Sequence, residues 1–246
     1  NEAASLAGAL KLGKLILIYD KNDITIEGNT NITFTEDVAK RHEALGWQVI
    51  KVKDANDLSA LNRAIKKAKA ETEKPSLIVV NSKIGFGSHL EGNAGCHGAP
   101  LGEEGVATLK KNLGWTSAPF EVPEEVFKHC KKFGAKGRKA QKAWKELFKA
   151  YETKYPELAK EYKDWKNSNY KNLKDIEELW QYEKDDASRG YGATVLNKIA
   201  KYVPNLVGGS ADLAPANKTN IKARGDFSAT KIDGSNMHFG IREHAM

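Results

Sequence analysis

The sequence predicts an α/β fold built on a parallel sheet, and three features predict it. Leu15–Ile18 and Leu77–Val80 are short apolar runs with no polar alternation, the composition of strands covered on both faces. Segments of helical period lie between them, with Gln48–Val52 as a further strand, so the order reads strand, helix, strand, helix, strand. Small oxygen-bearing side chains, Asp20, Asn22 and Asp23, follow the first strand directly, at the end where open α/β sheets bind ligands.

In chain order, Ala3–Leu12 reads as a helix with Leu6, Leu10 and alanines on one side and Gly13 as its stop. The strand at Leu15 comes next. The oxygens after it suit a hard cation such as Mg²⁺, which completes its octahedron with water and phosphate. They suit equally a polar turn that folds Ile24–Ile26 back as a hairpin. Thr35-Glu36-Asp37 is a helix entry, with a capping hydroxyl and two acids where the macrodipole favours them. Val38, His42 and Leu45 mark that helix's inner face, and Gly46 ends it. Leu58, Leu61, Ile65 and Ala68 mark the inner face of the next helix.

From Asn81 to Gly105 the periodicity dissolves into a glycine-rich loop carrying Ile84-Gly85-Phe86-Gly87-Ser88 and His97-Gly98-Ala99-Pro100. Glycines let backbone approach a ligand closely, so the first run can cradle phosphate. His89 and His97 match no standard zinc spacing. Pro119–Pro123 reads as a turn. A lysine-rich, mainly helical stretch then runs to about Trp180, restarted by Pro156 in a first turn. Trp144, Leu147, Phe148, Tyr151 and Tyr155, continued by Leu158, Tyr162 and Trp165, form an apolar stripe expected to be buried packing. A second α/β unit follows: Val195, Leu196, Ile199 and Val203 face inward on a helix, with strands expected at Leu206-Val207 and Met237–Ile241. Those strand ends each present an acid, Asp212 and Glu243, which can also serve as ordinary helix caps.

At 246 residues the chain is long enough for one large or two smaller domains. Its net charge of +7 is local, because Lys128–Lys174 holds fifteen Lys or Arg against five acids, leaving about −3 elsewhere. Cations opposite an apolar helical stripe are a solvated face, which argues against nucleic-acid binding. No apolar run can span a bilayer. Cys96 and Cys130 form no metal or disulfide framework, so a reducing compartment is expected, cytoplasmic with an organelle as the alternative. Both ends read as cut, Asn1 inside a helix and Met246 at the start of another.

Five runs together resemble the transketolase family of thiamine-diphosphate enzymes: Tyr19–Gly28, Ile84–Ser88, His97–Gly102, Gly208–Leu213 and Phe239–Met246. The resemblance spans the whole chain in order. It implies a parallel-sheet thiamine-diphosphate-binding fold in three parts. These are the C-terminal part of the diphosphate-binding domain over 1–122, a basic helical linker over 123–183, and the opening of the pyrimidine-binding domain over 184–246. The implied reaction moves a two-carbon ketol unit from a ketose phosphate to an aldose phosphate, in a homodimer with active sites at the interface. The implied cofactors are thiamine diphosphate and Mg²⁺ or Ca²⁺.

By the same resemblance, Asn22 contributes a side-chain oxygen and Ile24 a backbone carbonyl to the metal that grips the cofactor diphosphate. A third ligand, an aspartate of a Gly-Asp-Gly run, is expected just before Asn1. His97 matches a histidine beside the diphosphate that binds substrate hydroxyl and assists proton transfer. Glu243 matches the glutamate that hydrogen-bonds the aminopyrimidine, favouring the tautomer whose nitrogen deprotonates the thiazolium to the ylid. Asp212 matches an acid near the cofactor, and Arg189 an arginine that grips substrate phosphate. Where the family commonly has serine, this chain has Ala216, which cannot donate a hydrogen bond to that phosphate. The alternatives are a dihydroxyacetone synthase with formaldehyde as acceptor, or a non-catalytic fragment or assembly partner. Motif spacing and the basic linker disfavour a deoxyxylulose-phosphate synthase.

Overall fold

The computed structural model describes residues 1–245. Met246, the last residue of the fifth run and the point where the sequence reads as entering a helix, lies outside them. The described residues form two compact units, residues 1–116 with 242–245, and Ser117–Ile241. The expected linker, 123–183, and residues 184–241 of the last segment share the second unit, whereas 242–245 belong to the first.

In the first unit, α1 (Glu2–Ala9) precedes β1 (Ile16–Lys21), and a small antiparallel pair follows, β2 (Ile24–Thr25) with β3 (Gly28–Asn29). The residues after Asp20 therefore do not fold a hairpin onto β1; β2 turns onto β3 instead. α2 (Val38–Ala44), β4 (Gln48–Val52), α3 (Leu58–Ala70) and β5 (Ser76–Asn81) complete the expected alternation. The sheet is parallel in the order β1-β5-β4. Successive β5 residues point to opposite faces. Ile78 and Val80 pack with Ile50, Val52, Ala64 and Ala68 under α3. Leu77 and Val79 pack with Ala7, Ala39 and Trp47 under α1 and α2.

The strand covered on both faces is β5. β1 had the same expectation and does not meet it, with Leu17 and Ile18 exposed at 44% and 55%. Among the described residues β1 pairs with β5 alone and stands at the edge of the sheet. Asp37, not Thr35, caps α2, its carboxylate accepting from Lys40 N at 3.1 Å. That bond, the largest influence, holds the Asp37 carboxyl below its ordinary pKa. α3 buries Ala64 and Ala68 with Ala60 and Leu61 against the sheet, while Leu58 and Ile65 turn outward. Leu61 and Ala68 thus face inward as expected, while Ala60 and Ala64 take the places expected of Leu58 and Ile65; small side chains let a helix lie close on a sheet. The long loop is shorter than expected, because α4 (Gly102–Asn112) begins three residues before Gly105.

In the second unit, α5 (Glu124–Lys154) and α6 (Pro156–Asn167) meet at Pro156, which stands in the first turn as expected. Their aromatic stripe stacks on itself, Trp144 on Phe148 at 5.3 Å and Phe148 against Tyr162 at 5.4 Å. It is not the buried packing expected: no α5 residue is buried, and Leu147 is 70% exposed. The 12 residues of α6 are too few to cover a whole face of the 31-residue α5. Helical structure then gives way to 3₁₀ turns at Leu173–Asp175 and Glu177–Leu179. α7 (Ser188–Tyr202) half-buries Val195, Leu196 and Ile199. The Arg224 guanidinium caps its last carbonyls, reaching Ala200 O at 2.7 Å.

β6 (Gly208–Ser210) begins just after the expected Leu206-Val207, α8 (Ala214–Asn217) follows, and β7 (Asn236–His238) begins one residue before the expected Met237–Ile241 and ends three residues short of it. β6 and β7 pair in parallel. The pairing explains the shift into glycine, because a Cβ on Gly209 would collide with the Met237 carbonyl. Buried Asn236 ties the intervening loop, donating to Arg224 O at 2.7 Å and accepting from Ile221 N at 2.8 Å.

Candidate functional site

The carboxyl end of β1 leads into an Asx turn, in which Asn22 Oδ1 accepts from Ile24 N at 3.0 Å. Asp23 between them holds a left-handed conformation, φ +60, which Asp tolerates better than most residues. Its carboxylate takes Lys21 Nζ at 2.6 Å, and its carbonyl takes Thr30 N at 2.9 Å. The turn therefore carries Asn22 Oδ1 to the Ile24 backbone while each is only half-buried. An amide oxygen has a second lone pair, so the bond to Ile24 leaves Oδ1 able to ligate. Two neutral oxygens of this kind fit part of a hard cation's shell. Among the described residues no group of three His, Cys, Asp or Glu side chains could hold a metal.

Asp20 on the same strand end is tied to the residue that follows β5 by the Ser82 hydroxyl, which donates to its carboxylate. A cavity of about 820 Å³ lies over these strand ends, with Tyr19, Lys21, Asp23, Lys51 and Asn81 in its wall. It flanks the Asn22 turn without including Asn22 itself.

His97 closes the glycine loop. It follows the 3₁₀ turn Ala94–Cys96, donates its N–H to Ala94 O at 3.0 Å, and its side chain is exposed. Ahead of it, Gly85 stands at φ +63 with Cys96 Sγ where a Cβ would go. Only glycine allows both the conformation and that approach. Glu91, which the sequence did not single out, closes this loop with one carboxylate oxygen on Lys83 Nζ and the other on Gly87 N, each at 2.9 Å. An acid eight residues after a lysine across a glycine loop has no periodic signature, so only coordinates reveal the pairing.

Glu243 opens the 3₁₀ turn Glu243–Ala245 and is exposed. That turn is fastened to α1, Arg242 Nη2 donating to Ser5 Oγ at 2.9 Å and Ala245 N to Glu2 Oε2 at 2.8 Å. Asp212 follows β6 at φ +57, exposed, and α8 carries no side-chain cap bond, so Asp212 does not serve as its cap. Nearby Ser210 Oγ and Thr219 Oγ1 lie 2.6 Å apart. Arg189 is exposed at the second position of α7, and Ala216 is exposed within α8. Of these residues, the structure joins Asn22 and Ile24 directly. His97 and Glu243 belong to the same unit as that pair, and Arg189 and Asp212 to the other.

Residues 1–170 match the family model of the transketolase thiamine diphosphate binding domain, and residues 187–246 that of the transketolase pyrimidine binding domain. A transketolase of Streptococcus pyogenes is 49% identical over all of this chain and 34% of its own length. A chloroplastic transketolase of Arabidopsis thaliana is 44% identical, also over all of this chain and 34% of its own. A Pichia stipitis transketolase solved with sedoheptulose-7-phosphate superposes with a TM-score of 0.91 at 42% identity, over 100% of this chain and 38% of that one. The chain thus spans about a third of the length of these proteins.

Proposed function

The chain belongs to the transketolase family, and on that premise we propose that the protein carrying it moves a two-carbon ketol group reversibly from a ketose phosphate to an aldose phosphate. The observation that carries this reading is the Asx turn at the carboxyl end of β1, in which the amide oxygen of Asn22 is held against the backbone N–H of Ile24, the two residues expected to contribute to a metal site. The match of both domain models, in order, supports it. The Pichia stipitis relative was solved with a sugar phosphate, which supports sugar phosphates as donor and acceptor here.

Asn22 Oδ1 and the Ile24 carbonyl would hold Mg²⁺ or Ca²⁺ together with the cofactor's diphosphate and a carboxylate from outside this chain. Thiamine diphosphate, when bound, supplies the carbon that carries the two-carbon unit between sugars. Glu243 would share a proton with the aminopyrimidine of the bound cofactor and so favour one tautomer, and Asp212 would lie beside the same cofactor. His97 binds a substrate hydroxyl and moves its proton, a role for which an imidazole's two ring nitrogens suit it. Arg189 takes the substrate phosphate through its planar fork. Ala216 leaves that phosphate one donor short, which weakens its binding by about 1 kcal/mol.

The active unit is a homodimer in which Asn22 and Glu243 of facing protomers hold opposite ends of one cofactor, in the cytoplasm or an organelle. Residues 1–122 form part of the diphosphate domain, 123–183 the linker and 184–246 the start of the pyrimidine domain. The deciding experiment substitutes Glu243→Ala in the full-length protein and measures exchange of the C2 proton on bound thiamine diphosphate. Exchange is expected to collapse while circular dichroism and cofactor content persist; exchange at the wild-type rate would refute the reading.

A further inference from the structure

We propose that Glu91 is a positioning residue for His97: its carboxylate closes the glycine loop on which the turn bearing His97 is seated. The proposal rests on the role given to His97 above.

Three sets of contacts carry it. First, the Glu91 carboxylate bridges the loop, with Lys83 Nζ on one oxygen and Gly87 N on the other, each at 2.9 Å. Gly92 N donates to Ile84 O at 2.9 Å, so the residues from Ile84 to Gly92 close into a lariat with that carboxylate across it. Second, the lariat is fastened to α4, where Asn112 Nδ2 donates to Gly87 O at 2.7 Å. Third, the chain leaving the lariat folds back on it. Asn93 Oδ1 accepts from Gly95 N at 2.7 Å, Cys96 N donates to Asn93 O at 3.0 Å, and the Cys96 side chain lies in the space left by Gly85. His97 is the next residue.

The Lys83 ammonium, with the Gly87 N–H, holds the Glu91 carboxyl below its ordinary pKa, so it is charged at neutral pH. Without that carboxylate, Gly87 N–H loses its acceptor and Lys83 its counter-charge. The lariat then opens under Cys96, and His97 is no longer held where diphosphate and substrate hydroxyl meet it. A glutamine keeps one oxygen for Gly87 N–H and loses only the charge.

The test uses the full-length protein. Binding of thiamine diphosphate with Mg²⁺ is followed by calorimetry, and kcat and KM are measured for a ketose phosphate donor. E91A is expected to weaken cofactor binding and raise KM by about tenfold, while E91Q stays within about threefold of wild type and kcat at saturation changes by less than about threefold. In an H97A background E91A is expected to add nothing, because the two residues act through one element. Equal E91A effects in both backgrounds, or E91A indistinguishable from wild type beside an impaired H97A, would overturn the Glu91 proposal alone. An H97A variant with wild-type cofactor binding and KM would overturn the role of His97, and this proposal with it. Should E91A not fold, Glu91→Asp, one methylene too short to keep both the Lys83 and the Gly87 bonds, decides in the two backgrounds through amide exchange at Gly87: faster exchange there with β5 unchanged supports the clamp, and unchanged exchange refutes it.

Discussion

Asn22 Oδ1 uses one lone pair on the Ile24 N–H and keeps the other, so a single amide both builds the turn and stands ready as a ligand. Replacing it with alanine removes the turn's bond and, on the proposed reading, the metal's ligand as well. Asn22→Ala in the full-length protein is expected to weaken Mg²⁺-dependent thiamine diphosphate binding by about 10- to 100-fold, the loss that even the outer partners of metal ligands produce; calorimetry with and without chelator checks it. Glu91 makes a pH-dependent prediction. Its folded pKa is lowered, first by Lys83 and then by the Gly87 N–H. The stability it contributes is therefore complete above the ordinary glutamate value and is lost as pH falls through the lowered one. Exchange protection of the Gly87 amide is expected to hold from neutrality into mild acid and then fall, and Glu91→Gln is expected to erase that acid step. Of these two residues, Asn22 was singled out in the sequence as one of three oxygen-bearing side chains after an apolar strand, and its ligand role was implied by the family resemblance. Glu91 was not, because its partners are fixed by a loop with no periodicity.

At the scale of elements, the parallel alternation of strands and helices was legible and the faces were not. β5 lies between β1 and β4 with helices on both sides, so Leu77 is fully buried. Leu77→Ala is expected to cost about 2–5 kcal/mol in chemical denaturation, the range for a large-to-small change in a close-packed core. The α3 cap is more modest. Asp57 accepts from Ala60 N at 2.8 Å, and Asp57→Ala is expected to cost about 1 kcal/mol by the same measurement. Leu58 and Ile65 share a helical stripe, yet α3 turns its alanines inward. Periodicity finds an apolar stripe but not the distance between helix and sheet, and at close distance alanine wins. The aromatic stripe of α5 and α6 has the same lesson in reverse. Its spacing was right, and its burial depended on neighbouring surface that neither helix supplies.

For the molecule as a whole, the two compact units meet in sequence at Thr116/Ser117. Phe120 follows closely, fully exposed at φ +63, between α4 and α5. Limited digestion of this chain with chymotrypsin is expected to cut first at Phe120, read by mass spectrometry, since exposed loop tips are nicked before ordered helices. The basic surplus also belongs to this scale. Lys163 and Lys166 lie over Phe148 and Trp144 at 5.8 Å, so part of the charge sits on the apolar stripe and not opposite it. By itself the sequence determined the fold class, the order of the elements and the family, because strand composition, helical period and ligand-bearing motifs are local in the chain. Only tertiary structure decided that β5 and not β1 is central, which face of α3 is buried, and that Glu91 closes the loop before His97. Those outcomes depend on which segments become neighbours and how closely they approach, distances that no local pattern encodes.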